Sequence, residues 1–257
     1  MDEHNLKVFL NSKVDFYNQP SFIAADPICI PHLFTKKQDI EIAGFFAAIF
    51  AWGNRTTIIN KSKELLQLMD YAPHQFIQQH QPNDLKKLEN FKHRTFNTTD
   101  LLYCIEFFNM HYSKNNSLEN AFTKGMKKSD VTIENGLNGF YHYFFSLPYI
   151  SERTKKHIAA PEKNSSCKRL NMYLRWMVRN DKNGVDFGLW KNISPSQLII
   201  PIDVHVARVA KKLNLLLRRQ NDWQSALELT KYLRTLDATD PVKYDFALFG
   251  TGVMEKL

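Results

Sequence analysis

Two stretches of this 257-residue chain carry side chains whose types and spacing could do chemistry. The first is SSCKRLNMYLRWMVR, residues 165–179, and the second is LIIPIDVHVARVAKKLNLL, residues 198–216. On a helical wheel Cys167, Leu170, Leu174 and Met177 form one apolar stripe, with Tyr173 beside it. Lys168, Asn171, Met172, Arg175 and Arg179 form the neighbouring stripe. Ser165 or Ser166 is placed to cap this helix, which puts Lys168 in its first turn. There the positive end of the helix dipole and the arginines of the same stripe disfavour an ammonium group. An amine without its extra proton is a nucleophile. The alternative is a solvated lysine that meets phosphate or water. In the second stretch Asp203 stands at the N-cap position of a helix whose buried face is Ile202, Val206, Val209 and Leu213. His205 could join Asp203 in an acid–base or metal role. No further His, Asp or Glu cluster supports a metal, so neither metal nor cofactor is expected.

The elements that must position these residues read as helices nearly throughout. Apolar residues recur at helical spacing in DIEIAGFFAAIFAW (39–52, Asp39 as cap), NRTTIINKSKELLQLMD (54–70) and TDLLYCIEFFNMHY (99–112, Asp100 as cap after Thr98 and Thr99). The pattern continues through SLENAFTKGM, ENGLNGFYHYFFSL, WQSALELTKYLRTL and DPVKYDFALFGTGVM, with proline-containing breaks between segments. SQLIIPI, residues 196–202, is the best short strand candidate. The expected fold class is all-α, with short connections.

Composition narrows the function. Hydrophobic residues make up 44% and charged residues 23%, the usage of an ordinary globular chain. No apolar run reaches the roughly 18 residues a membrane span needs, and the first residues lack the pattern of a signal peptide. Cys29, Cys104 and Cys167 are too scattered for a disulfide framework or a metal cluster, which fits a reducing cytoplasm. Net charge is +8, and its placement matters more than its size. Residues 151–219 hold 15 Lys/Arg against 5 Asp/Glu, whereas the rest of the chain is slightly acidic. A basic zone confined to a quarter of the chain points to a polyanionic partner.

The two stretches also carry a resemblance. PIDVHVARVAKKLNL resembles the catalytic aspartate segment of the helix-hairpin-helix DNA glycosylases, the superfamily of endonuclease III and the oxoguanine glycosylases. CKRLNMYL is similar to that superfamily's catalytic lysine helix, with Lys168, Asn171 and Leu174 at matching spacing. AAIFAWGNRTTIINKSKELL resembles the segment that inserts side chains into the gap left by a flipped base. KRLNMYLRWMVR and DPVKYDFALFGTG also look like signatures of an uncharacterised bacterial family related to these enzymes. The chain departs from the superfamily in three ways. APEKNSS stands where the LPGVG-type hairpin would be, the lysine and aspartate lie 35 positions apart, nearer the archaeal oxoguanine enzymes, and Gly53 takes the place of the wedge side chain. The iron–sulfur cysteines of some members are absent.

The resemblance implies a single unit over 1–257, in which lobes 39–165 and 1–38 plus 166–257 flank a cleft. It implies a bifunctional glycosylase and AP lyase that removes an oxidised, 8-oxoguanine-like base from double-stranded DNA. Lys168 would attack the sugar C1′ of a flipped nucleotide and Asp203 would stabilise the charge that develops there. Arg169, Arg175, Arg179, Lys211 and Lys212 would contact phosphates, Asn54 or Arg55 would fill the gap, and Trp52, Trp176 or Phe249 would stack on a base. A monomer located in the cytoplasm, at the nucleoid, is expected. Two other readings stand beside this one. One is a non-catalytic nucleic-acid-binding protein on the same scaffold. The other is a hydrolase or nuclease that uses Asp203, His205, His93 and Arg94.

Overall fold

Helix α3 (Lys37–Phe50) is buried at every position from Asp39 to Phe50, because KQDIEIAGFFAAIF is apolar on nearly all sides. It forms the axis around which the chain, a computed structural model describing residues 2–255, is built. Before it come α1 (Glu3–Tyr17) and α2 (Pro20–Ile23). After it come α4 (Arg55–Leu68), α5 (Pro73–Gln79) and α6 (Pro82–Lys86). A two-stranded antiparallel hairpin, β1 (Lys92–His93) and β2 (Phe96–Asn97), leads into α7 (Thr98–Tyr112). Then follow α8 (Glu119–Thr123), α9 (Glu134–Phe144), α10 (Lys168–Val178), α11 (Val204–Lys212), α12 (Trp223–Leu236) and α13 (Tyr244–Met254).

Three contacts place the site. Helix α10 packs on α3, where the Tyr173 hydroxyl donates to the Glu41 carbonyl at 2.9 Å. Helix α11 packs on α13, and α13 packs on α1. Gly250 makes the last contact possible, since any side chain there would overlap the ring of Tyr17. Within α3 the carboxylate of Glu41 is fully buried yet accepts from Tyr112 (2.9 Å), Ser117 (2.5 Å), Leu118 N (3.0 Å) and Trp190 Nε1 (2.7 Å). These bonds pin α7, the turn before α8 and the chain after α10 to one central point. Burial still pushes this carboxyl above its ordinary range.

The all-α class holds among the described residues, with several local corrections. SQLIIPI is not a strand: Pro195–Gln197 form a 3₁₀ turn and the chain then runs irregularly to α11. Strand pairing occurs instead at the 92–97 hairpin, too short for an alternating pattern to show. Asp39 is not a cap. Helix α3 begins two residues earlier, and the Asp39 carboxylate accepts from His74 N at 2.8 Å to fasten α5. The cap of α7 is Asn97, with Asp100 as the reciprocal member of a capping box. One of the proline-containing breaks, at Pro73, is instead the first residue of α5.

Candidate active site

Lys168 and Asp203 meet. The lysine Nζ lies 3.3 Å from Asp203 Oδ2, although 35 positions separate them in the chain. Helix starts place both residues. Lys168 is the first residue of α10, after Cys167 in the left-handed region at φ +51°. Cys167 is the cap position here, not Ser165 or Ser166, and its side chain makes no capping bond. The serines shape the preceding turn. Ser165 Oγ accepts from Cys167 N at 3.2 Å, and Asn171 Nδ2 donates to the Ser166 carbonyl at 3.0 Å. Asn171, the asparagine of the Lys-x-x-Asn pattern, therefore ties the leading loop to its own helix. Asp203 caps α11 as expected, with Oδ1 accepting from His205 N (2.8 Å) and Val206 N (2.9 Å). That bond pair fixes the carboxylate and leaves Oδ2 to face the lysine. The Lys168 side chain keeps 32% of its surface exposed and Asp203 keeps 11%, so the pair sits at the wall of an open space.

That space is a cleft of about 840 Å³, lined by Lys168, Asp203 and residues of α2, α4, α10 and α13. Phe22, Met172 and Phe249 supply apolar wall, and Asp26 and Asp245 lie in it as buried carboxylates. Burial pushes Asp245 up to about 6 against the pull of Arg175, and burial raises Asp26 against the bond its carboxylate accepts from Ile28 N. The cleft has the size and mixed lining of a small-molecule or nucleobase pocket.

The structure reassigns three residues. Arg175 and Arg179 do not present charge to a phosphate, because both are buried. Arg175 pairs with Asp245 and, at 3.3 Å, with Asp186. Arg179 pairs with Asp181 (2.6 Å), Asp186 (3.0 Å) and Asp240 (2.8 Å). The stripe they share with Lys168 runs from the cleft wall into the interior. Trp176 is fully buried and cannot stack on a base. With two arginines neutralised by carboxylates, the case for an uncharged Lys168 loses the charges expected beside it.

The other candidates lie as follows. Arg169 lines the cleft, half-buried, and donates to the Ile49 carbonyl at 2.8 Å. Arg55 also lines it and sits over the Phe249 ring at 4.9 Å. Trp52 is 51% exposed at the cleft, with the Arg94 guanidinium 4.7 Å from its ring. Gly53 between them has φ +114°, and a Cβ there would lie 2.8 Å from Arg94 Nη2. Glycine is thus what lets Arg94 lie across the loop. Asn54 is exposed and caps α4 through Thr57 N at 3.2 Å. Lys211 donates to the Arg219 carbonyl at 2.8 Å, and Lys212 is exposed; both lie towards the end of α11, away from the cleft. His93 is buried against the Phe50 carbonyl at 3.0 Å, so it cannot join Asp203 and His205 in a nuclease site. Among the described residues no group of three or more His, Cys, Asp or Glu is arranged to hold a metal ion.

A family model described as a protein of unknown function, DUF2400, matches residues 26–254. The chain belongs to this family. The DUF2400 match takes in Lys168, Asp203 and every cleft residue named above except Phe22. Comparison with curated proteins and with solved structures gives no significant match.

The two duties of Asp203 can be separated. Asparagine caps a helix as well as aspartate, so Asp203→Asn unfolds in urea within about 1 kcal/mol of the natural protein. Asp203→Ala also loses the cap and falls a further ~1 kcal/mol. Equal unfolding midpoints for the two variants would show that capping contributes nothing.

Proposed function

We propose that this DUF2400 protein is a DNA base-excision glycosylase with AP-lyase activity, acting on an oxidised base through a Schiff base on Lys168. The observation that carries the reading is the 3.3 Å approach of Lys168 to Asp203 at the wall of an open cleft with room for a base. An amine beside a fixed carboxylate suits displacement at an anomeric carbon. The Lys168 nitrogen forms a bond to C1′ as the glycosidic bond breaks, and the base departs with the electron pair and takes up a proton. Asp203 offsets the positive charge that grows on the sugar and holds the amine in line. The nitrogen loses a proton, its lone pair forms the C1′=N bond as the C1′–O4′ bond breaks, and O4′ leaves with that electron pair and takes up a proton, which gives the iminium.

The remaining assignments follow from this reading. The target base leaves the duplex and enters the cleft between the two lobes, against Phe249. Trp52, Asn54 and Arg55, on the loop that starts α4, fill the gap in the helix. Arg169, Lys211 and Lys212 meet phosphates, which position DNA without reading its sequence. The protein acts on double-stranded DNA as a monomer, in the cytoplasm at the nucleoid.

The test is borohydride trapping on duplexes that carry a panel of oxidised bases, 8-oxoguanine first. A covalent adduct with at least one lesion is expected. The 3₁₀ turn Pro161–Lys163, which precedes Lys168 in place of a hairpin, favours a second reading as a non-catalytic binder. Tight DNA binding with no adduct and no base release across the panel would establish that reading instead.

A further inference from the structure

A further titratable group, His157, lines the same cleft and is bonded to a carboxylate, Asp100, that does not. Asp100 is fully buried in the first turn of α7 and accepts from Asn97 N (3.0 Å), Arg153 Nη1 (3.0 Å), Thr154 Oγ1 (2.7 Å) and His157 Nε2 (3.1 Å). Three of these donors come from outside its own helix, on the turn Glu152–His157. The arrangement holds the His157 ring in one orientation, with the edge of Phe96 against it at 5.1 Å. His157 lines the cleft that holds Lys168. With the Nε2 proton given to Asp100, Nδ1 carries the free lone pair. Among the described residues no protein group bonds Nδ1, and the atom is not sealed from solvent. A carboxylate that fixes the tautomer of an imidazole whose other nitrogen is open is the arrangement of a general base.

We propose that His157, oriented by Asp100, is the proton acceptor of the strand-cleaving step. This rests on the Schiff-base reading of Lys168. From the iminium, Nδ1 takes the C2′ proton. The C–H pair becomes the C1′–C2′ double bond, and the nitrogen regains its lone pair. The enamine then expels the 3′ phosphate: the C3′–O bond breaks, its electrons leave with the phosphate, and a C2′–C3′ double bond forms as the iminium returns. His157 passes its proton to water. No oxidant, reductant or further reactant is needed.

The surroundings keep this imidazole uncharged at neutral pH. Removal from water lowers its pKa, opposed by Asp100 and reinforced by Arg169 of α10 and Lys156 of its own turn. Arg153 lies beyond Asp100, and Lys168, Arg55 and Asp203 share the cleft. His157 is thus a base at pH values where an ordinary histidine, near 6.5, is partly protonated.

The experiment uses the full chain and a duplex with one abasic site, so that no lesion need be known. Borohydride-trapped adduct and nicked strand are measured together. His157→Gln is expected to keep adduct formation within a few fold while nicking falls at least about 100-fold. In the natural protein the ratio of nick to adduct should stay flat from pH 8 to below 6.5 and then fall with acid. That profile needs no variant, so it stands even if His157→Gln does not fold. Nick and adduct that fall together in His157→Gln, or a ratio with no acid limb, would overturn the role of His157 and leave Lys168 untouched. A natural protein that forms no adduct would remove the Schiff-base reading, and this inference with it.

Discussion

Under the Schiff-base reading, Lys168→Gln is expected to abolish the borohydride adduct and to leave the fold standing. Glutamine is polar and only one atom shorter than lysine but has no amine to attack C1′, so adduct yield should fall to background. Stability should hardly change. The Lys168 side chain is about one-third exposed, and ion pairs of that kind contribute at most about 1 kcal/mol. Asp203 keeps its two backbone donors at the start of α11 without the lysine. Thermal melting within a few degrees of the natural protein, paired with loss of the adduct, therefore separates a chemical role from a structural one. An adduct that persists would move the nucleophile elsewhere. The candidate is Lys156, the other lysine that lines the cleft.

Lys168 and Asp203 were brought together in the sequence by the resemblance, and each stands at a helix start. Capping rules orient an N-cap side chain towards its own helix end, and a first-turn residue points the same way as the turn before it. Two helix starts brought to one cleft by the packing of α10 on α3 and α11 on α13 therefore meet. Arg175 and Arg179 were not legible, although they share the stripe of Lys168. A wheel shows that residues share a face but not whether that face looks outward. What settles the matter is their partners Asp186, Asp240 and Asp245, the last two more than 60 positions away. Counting charge along the chain treated these two arginines as surface charge, when they sit against carboxylates in the interior.

The same limit explains the remaining differences. Helices α3, α4 and those from α7 onward were readable from apolar spacing, whereas α1, α2, α5 and α6 were not picked out; the all-α class held. Glu41 gave no signal as a single carboxylate in an apolar run, because its four donors come from residues 71 to 149 positions away. His157 gave none because its partner Asp100 belongs to another helix, 57 positions before it. Local rules captured the apolar periodicity and the Asp203 cap; the other caps, and the long-range polar network that fixes the cleft, are set by packing.

Arg175→Met is expected to destabilise the fold by about 3–5 kcal/mol, measured by urea unfolding at neutral pH, because it leaves buried Asp245 without its cation and takes from Asp186 one of its two, Arg179 remaining. Methionine fills much of the same volume, so the loss is electrostatic more than steric. The pH dependence identifies its origin. Asp245 already stands at about 6, above the ordinary carboxyl value of 3.8. Its protonation thus favours the folded state, a contribution complete below the ordinary value and lost as pH rises through about 6. Without Arg175 the carboxyl rises further, so the deficit is largest above neutrality and shrinks towards about pH 5, where Asp245 is neutral in both proteins. Asp245→Asn added to Arg175→Met should recover part of the loss, since the two residues are in contact and their effects do not add. A phosphate-binding arginine behaves in the opposite way. Its replacement would leave unfolding unchanged and lower DNA affinity, with the salt dependence of binding reduced by about one counterion. Unfolding decides between these outcomes without DNA in the tube, and it does so for the helix on which the proposed nucleophile, Lys168, and the buried network share a face.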